Sequence, residues 1–362
     1  MKLIIQPTDG ATPLLSAIRK AKKTIEVAIF RFDHREIEAE LQAAASRGVN
    51  VTVLIASVNR GGVESLRKLE LRCLAAGLTV GRTNDDLVRY HDKFIIIDRR
   101  VLYVLSFNFT HLDIERSRGF GIVTTNSQSL SQAVALFEAD RCRTKFVPGY
   151  DHFVVSPCNA RKVLGSFLRR ARKQLLIYDP KISDKEMLGF LRARSNAGVE
   201  IRVIGQADAD FGGQVKKLES VRLHTRTIIR DHHQAFVGSQ SLRAPELDRR
   251  RELGLIIRDS TIVKKLTETF ESDWRSKGHA KECRPKREKR RRAEKEEVKD
   301  PTELLAEQLD PLGLTLKRTV KKVVLRAGEE ALEEKEVRAT VKKVVKKAVK
   351  EAIAEVTQTT KA

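Results

Sequence analysis

Aromatic residues make up only 5 % of this 362-residue chain. Few rings leave little to stack on exposed bases, which counts against a nucleic-acid binder that works by stacking. Long apolar runs are missing as well. None approaches the roughly 18 consecutive apolar residues of a membrane-spanning helix. The opening MKLIIQPTDG has three apolar residues in a row before Gln6 and Pro7, too short for the apolar stretch of a secretory leader. A soluble, cytoplasmic protein is the expectation. Cys73, Cys142, Cys158 and Cys283 are scattered, with no C-x-x-C pair and no histidine at zinc-finger spacing. A disulfide framework and a cysteine zinc site are thereby disfavoured, and the thiols read as reduced and incidental.

Positive charge is abundant. Lysine plus arginine number 70 against 48 aspartate plus glutamate, a formal net charge of +22. Such a surplus selects polyanionic partners, namely nucleic acid, an anionic lipid surface or phosphorylated substrates, without choosing among them.

The chain repeats itself. IRKAKKTIEVAIF from Ile18 lies beside LRRARKQLLIYDP from Leu168, and SRGVNVTVLI from Ser46 beside NAGVEIRVIG from Asn196, at one constant offset. Each copy reads as basic helix, strand, helix, strand. Asp33 with Glu36, and Ser183 with Glu186, form capping-box patterns before the second helix, while Gly48 and Gly198 stand where it stops. After a spacer that is shorter in the second copy, RYHDKFIIIDRRVLYVLSFN lies over RLHTRTIIRDHHQAFVGSQS. The register then holds without a gap to LFEAD at Leu136 and TFESD at Thr269. Alternating strands and helices predict an α/β fold of two pseudo-symmetric halves, each a mixed sheet flanked by helices, over residues 1–150 and 151–278. A pseudo-twofold axis would place one site between them.

The stretch VRYHDKFIIIDRRVLYVLSFNF, from Val88 to Phe109, carries the chemistry. Side chains two apart on a strand share a face, so His91 and Lys93 emerge together, and the unalternating Phe94–Ile97 reads as a strand buried on both faces. Paired with the matching His224 and Arg226, they form a basic constellation suited to an anion. DHHQ at Asp231 reads as a turn rather than a metal site. Trp274 is expected to pack on the final helix of the second copy.

These motifs resemble the phospholipase D superfamily, whose signature is a duplicated His-x-Lys, Asp, Gly-Ser-x-Asn pattern. Copy one supplies His91, Lys93, Asp98, Ser106 and Asn108, with Leu105 in place of the glycine; copy two supplies His224, Asp231, Gly238 and Ser239, with Arg226 for lysine and Ser241 for asparagine. The resemblance covers about residues 1 to 278. It implies that one histidine attacks phosphorus to form a phosphohistidine, and that the other protonates the leaving alcohol and later activates water or an acceptor alcohol. Lys93, Arg226, Asn108, Ser106, Ser239 and Ser241 would hold phosphate oxygens, and no metal or other cofactor is called for. His91 is assigned as nucleophile and His224 as acid and base, with the reverse assignment open. Glu252, in RRELG, resembles the family's histidine-orienting acid and is read as serving His224. The matched position in copy one is Gly119, so Glu115 is the candidate there.

After Gly278 the chain turns into KECRPKREKRRRAEKEEVKD, a charged linker-like run. A basic amphipathic helix follows, with Val341, Val344, Val345, Val349, Ile353 and Val356 at helical spacing among lysines. Residues 279–362 are thus a basic, partly disordered or helical tail. The leading expectation is a phosphodiesterase or phosphatidyltransferase acting on phospholipid headgroups, peripheral on an anionic membrane. The alternatives are a nuclease-type phosphodiesterase and a non-catalytic phosphate-binding scaffold. Oligomeric state is left open.

Overall fold

A computed structural model describes residues 1–56, 62–84, 86–276 and 281–282, with side chains of the third helix from residue 67 onward. The tail expectations, including the amphipathic helix, lie outside these residues. One compact unit contains both copies and runs from Met1 to Lys286.

Copy one contains strands β1 (Lys2–Gln6), β2 (Thr24–Ile29), β3 (Asn50–Ile55), β4 (Thr79–Arg82), β5 (Arg89–Tyr90), β6 (Phe94–Ile97), β7 (Val101–Leu105) and β8 (Ser117–Thr124). Its helices are α1 (Thr12–Lys20), α2 (Arg35–Ser46), α3 (Gly62–Ala75), α4 (His111–Glu115) and α5 (Ser127–Cys142). Copy two repeats the order with β9 (Phe153–Ser156), β10 (Gln174–Ile182), β11 (Glu200–Ala207), β12 (Gln214–Lys216), β13 (Arg222–Leu223), β14 (Arg226–Arg230), β15 (Gln234–Gly238) and β16 (Arg250–Ile257). Its helices are α6 (Ala160–Arg169), α7 (Lys185–Asn196), α8 (Ala244–Asp248) and α9 (Ser260–Arg275). Between β11 and β12 the described chain has no counterpart of α3, which accounts for the shorter spacer. A last strand, β17 (Lys281–Glu282), pairs antiparallel with β12, beyond the boundary at 278 that composition suggested.

Each half is a mixed sheet. The first runs β1-β8-β7-β6-β2-β3-β4 and the second β17-β12-β11-β10-β14-β15-β16, with β9 also on β16. β2, β3 and β4 are parallel neighbours, whereas β2, β6, β7 and β8 pair antiparallel in that order, β6 and β7 through a tight turn. Phe94–Ile97 is buried along its whole length because both sheet faces are covered. The outer face of the first sheet packs on α1, α2 and α3 through Leu14, Ile18, Ile37, Leu41 and Leu69. The outer face of the second packs on α6 and α7 through Leu164, Leu168, Met187 and Leu191. The inner faces meet over one shared core, where Leu136 and Phe137 of α5 and Leu266 and Phe270 of α9 sit between Phe94, Phe120, Tyr178 and Leu253. Trp274 stacks on Phe270 at 5.7 Å between centroids, in the place expected for it.

Local signals are met with one shift. Gly48 and Gly198 take φ of +85° and +83° just after α2 and α7, a left-handed backbone that stops a helix at low steric cost. The caps fall one residue later than expected. Asp184, rather than Ser183, accepts from the N–H groups of Glu186 and Met187, and α2 begins after His34 with no side-chain cap. Asp33 instead accepts from the His111 N–H at 3.2 Å, because the chain is already tied there to the start of α4.

No helix among the described residues is long and apolar enough to cross a membrane.

Candidate active site

The site exists because each copy lends its motif strand to the other. β5 pairs in parallel with β16, Tyr90 opposite Arg251, and β13 pairs in parallel with β8, Leu223 opposite Arg118. The next residue in each case is the motif histidine. His91 N–H donates to the Arg251 carbonyl at 2.8 Å, and His224 N–H donates to the Arg118 carbonyl at 3.1 Å. His91 is therefore set against copy two and His224 against copy one.

This exchange redirects the orienting acid. Glu252 follows Arg251, and its two carboxylate oxygens lie 2.8 and 3.0 Å from Nδ1 of His91, not near the histidine of its own copy. With Nδ1–H donated to that carboxylate, Nε2 is the ring nitrogen left to reach a substrate. Across the axis the equivalent place is Gly119, and a Cβ there would lie 3.0 Å from the Phe107 ring. Phe107 occupies the space in which a second glutamate would begin. His224 turns instead to Asp113 of α4, with Nε2 3.4 Å from Oδ2, while its Nδ1 is buried without a partner. Both histidine side chains keep about a tenth of their surface, 10 % and 12 %.

The cations mirror each other too. Lys93 is fully buried, its Nζ donating to the His91 carbonyl and lying 3.2 Å from His91 Nδ1. Arg226 Nη1 donates to the His224 carbonyl at 2.6 Å and Nε to Ser241 Oγ at 3.2 Å. Asn108 donates from Nδ2 to Asp113 at 2.7 Å and accepts the Arg31 N–H at 3.1 Å. Ser241 is too short for the same reach. Asp179 fills the gap in copy two, accepting the Leu242 N–H at 2.7 Å.

Five expected site residues are elsewhere or differently employed. Asp98 and Asp231 sit at the far ends of β6 and β14, in tight turns with φ of +53°. Asp98 accepts the N–H groups of Lys22, Lys23 and Thr24, and Asp231 those of Arg172, Lys173 and Gln174, at 2.6–3.2 Å. They fasten a hairpin to the next strand, a use that a short carboxylate tolerant of left-handed backbone suits. Asp231, His232 and His233 form the expected turn. Glu115 does not orient a motif histidine; it lies on the surface, 2.8 Å from Nδ1 of His111. Ser106 accepts the Phe120 N–H at 2.8 Å, and Ser239 the Leu253 N–H at 3.2 Å, both fully buried. These two hydroxyls bridge strands.

Asp113 and Arg222 escaped the sequence reading. Arg222 reaches across from copy two to Asp113 and to Ser117 Oγ. An acid stands at this place in both copies, Asp113 and Glu246, and that recurrence is the signal that could have flagged it. Phe30, which meets His91 edge-on at 4.7 Å, had no such signal.

Burial dominates the electrostatics. It holds both histidines well below their ordinary range, with Lys93 and Arg226 adding to the effect on each and Asp113 opposing it at His224. Burial pushes the Glu252 carboxyl up to about 7 and the Lys93 ammonium down to about 8. At Asp113 burial acts upward, but His224 and the N–H groups of Asn108 outweigh it and leave the carboxyl below its usual value. Two neutral imidazoles flanked by the cations Lys93 and Arg226 form a centre chemically able to hold an anion and to offer it a ring nitrogen as nucleophile.

Fold and site together define a duplicated α/β protein in which the motif histidines and cations of both copies share one buried centre. The family model described as cardiolipin synthase, phospholipase D-like domain matches residues 14–141 and 164–274, and the chain belongs to that family. Mitochondrial cardiolipin hydrolase of Mus musculus is 29 % identical over 129 residues, 34 % of this chain and 55 % of that protein. The Canis lupus familiaris protein of the same name is 32 % identical over 109 residues, 29 % of this chain and 40 % of that one. The chain thus spans about half the length of the curated relatives it matches. Among solved structures, polyphosphate kinase of Porphyromonas gingivalis superposes with a TM-score of 0.67 at 18 % identity, over 78 % of this chain and 48 % of that one. Phosphatidylserine synthase of Haemophilus influenzae gives 0.60 at 12 % identity, over 86 % and 93 %. At these identities the superpositions speak to the fold.

Proposed function

We propose that this protein is a phosphodiester hydrolase or phosphatidyltransferase that acts on phospholipid headgroups through a phosphohistidine. The observation that carries the reading is the cross-copy contact of Glu252 with Nδ1 of His91, beside Lys93 and facing Arg226. A ring so held presents Nε2 to phosphorus. In the first step the Nε2–P bond forms, the bond from phosphorus to the headgroup oxygen breaks, and His224 gives that oxygen its proton. In the second, His224 takes a proton from water or an acceptor alcohol, whose oxygen displaces His91. His224 must gain a proton before the first step, and a bound phosphodiester anion with Asp113 would restore the basicity that burial removes. The lipid assignment rests on the cardiolipin hydrolases among the relatives, together with the net positive charge. Incubation with labelled anionic phospholipid vesicles and with single-stranded DNA tests it. Cleavage of the lipid alone is expected, and cleavage of the DNA alone overturns the substrate assignment.

The same geometry sets the pH dependence. Glu252 holds the His91 ring only when ionised, a condition lost as pH falls through about 7, and Lys93 offsets phosphate charge only when protonated, a condition lost as pH rises through about 8. The profile of kcat/KM on a soluble phosphodiester should be a narrow bell between those values. Glu252→Gln should lower it by about 10²–10⁴-fold and remove the acid limb. An acid limb unmoved in that variant would assign it to another group.

A further inference from the structure

A second cluster lies on the other side of α4 from Asp113. His34, at the start of α2, is 3 % exposed, and its Nδ1 is buried without a hydrogen-bond partner. The His111 ring stacks on it at 4.3 Å between centroids, 21° from parallel. Glu115, one helical turn on from His111, closes the group, and one ligand atom from each of the three lies within 4.8 Å of the others. The backbone holds this arrangement, since the Asp33 and His34 N–H groups both donate to the Phe109 carbonyl at 2.9 and 3.0 Å.

The duplication supplies an independent reading of the same place. In copy two, Asp184 stands for His34 and Asp248 for Glu115, and a cation is built in between them. Arg161 Nη2 lies 2.7 Å from Asp184 and 2.5 Å from Asp248, with Nη1 2.8 Å from Glu186. The position of copy one that matches Arg161 is Ala11, which has no charge to offer. Copy two thus ties the start of α7 to α8 through an internal guanidinium. Copy one joins the corresponding elements, α2 and α4, with a pair of imidazoles and a carboxylate, and among the described residues no arginine bridges them as Arg161 does.

We propose that His34, His111 and Glu115 bind a divalent transition-metal ion of the zinc type, which takes in copy one the place that Arg161 fills in copy two. Two imidazoles and one carboxylate form a donor set that zinc accepts, whereas calcium and magnesium call for oxygen ligands. At bond lengths of about 2.0–2.2 Å the ligand atoms must draw together by about 1 Å. His111 and Glu115 are both exposed and free to do so. The ion would pin α4, and with it Asp113, and would take no part in bond breaking.

The full chain titrated with Co²⁺ and then Zn²⁺ tests this. Expected are one equivalent of Co²⁺ with tetrahedral ligand-field bands and no thiolate charge-transfer band, displaced by Zn²⁺, and a raised Tm. His111→Ala and Glu115→Ala, at exposed side chains, should each weaken Zn²⁺ binding at least ~10-fold without unfolding the protein. Ala11→Arg should abolish binding by supplying the cation. A thiolate band, Zn²⁺ affinity unchanged in both alanine variants, or no binding at micromolar Zn²⁺ would overturn the proposal.

Discussion

His91→Ala is expected to lower turnover of any phosphodiester by at least ~10⁴-fold and to leave no phosphoenzyme to trap, because it deletes the atom proposed to bond phosphorus. His224→Ala should behave differently. With an alkyl headgroup as leaving group the loss should be about 10²–10⁴-fold, the usual contribution of a general acid. With an activated aryl leaving group, which departs without a proton, formation of the phosphoenzyme should persist within about 10-fold. Because the same residue must then activate water, the intermediate should accumulate as a burst carried on residue 91. Labelled protein quenched in alkaline denaturant and digested to peptides at high pH, where a phosphorus–nitrogen bond survives, would show where the label sits. If the burst appears in His91→Ala and the label on His224, the two roles are reversed. The asymmetry of the site gives the direction: Glu252 orients His91, whereas Asp113 faces the Nε2 of His224 and leaves its Nδ1 unpartnered.

Asp273→Ala should be the costliest single change to stability away from the reacting groups. Asp273, on α9, receives Nε and Nη2 of Arg118 from the other copy at 2.7 and 2.9 Å and the Tyr178 hydroxyl at 2.7 Å. The pair is nearly buried, at 13 % and 6 % side-chain exposure. Removing the acid strands a guanidinium and a hydroxyl away from water, which costs about 3–5 kcal/mol. For a unit of this size that is a fall in Tm of about 5–8 °C. The double variant Arg118→Met, Asp273→Leu should recover most of the loss, since the penalty belongs to the unpaired charge rather than to the absent bridge. Lys264→Ala, which breaks a pair 78 % and 62 % exposed, should change stability by less than about 0.5 kcal/mol. Equal effects of Asp273→Ala and Lys264→Ala would refute the argument. Asp140 and Arg251 form the reciprocal bridge, Nη2 to Oδ1 at 2.9 Å, and should respond in the same way.

Those two bridges show how far the repeat could be read. Asp140 closes LFEAD and Asp273 closes TFESD, and the register that aligned them was visible along the chain. Nothing in either segment shows that each aspartate reaches an arginine of the other copy, because that contact depends on how the halves dock. Glu252 is the same case at the site. Its type marked it as a histidine-orienting acid, but its partner follows from β5 and β13 changing places between the sheets. Asp98 and Asp231 failed for a different reason. A spacing can show that an acid recurs, yet not that its strand carries it away from the histidine toward three backbone N–H groups.

By itself the sequence determined the duplication, the alternation of strands and helices in each copy, the helix stops at Gly48 and Gly198 and the identity of the two histidines and two cations. These follow from local patterns, since periodicity, left-handed backbone and residue chemistry act over a few positions. Only the tertiary structure decided which acid serves which histidine, that Phe107 bars a second glutamate from position 119, that Asp113 faces His224, and that His34 meets His111 and Glu115. Each of those joins residues from separate elements or opposite copies. Their proximity is fixed by strand exchange and core packing, which no stretch of the chain carries alone.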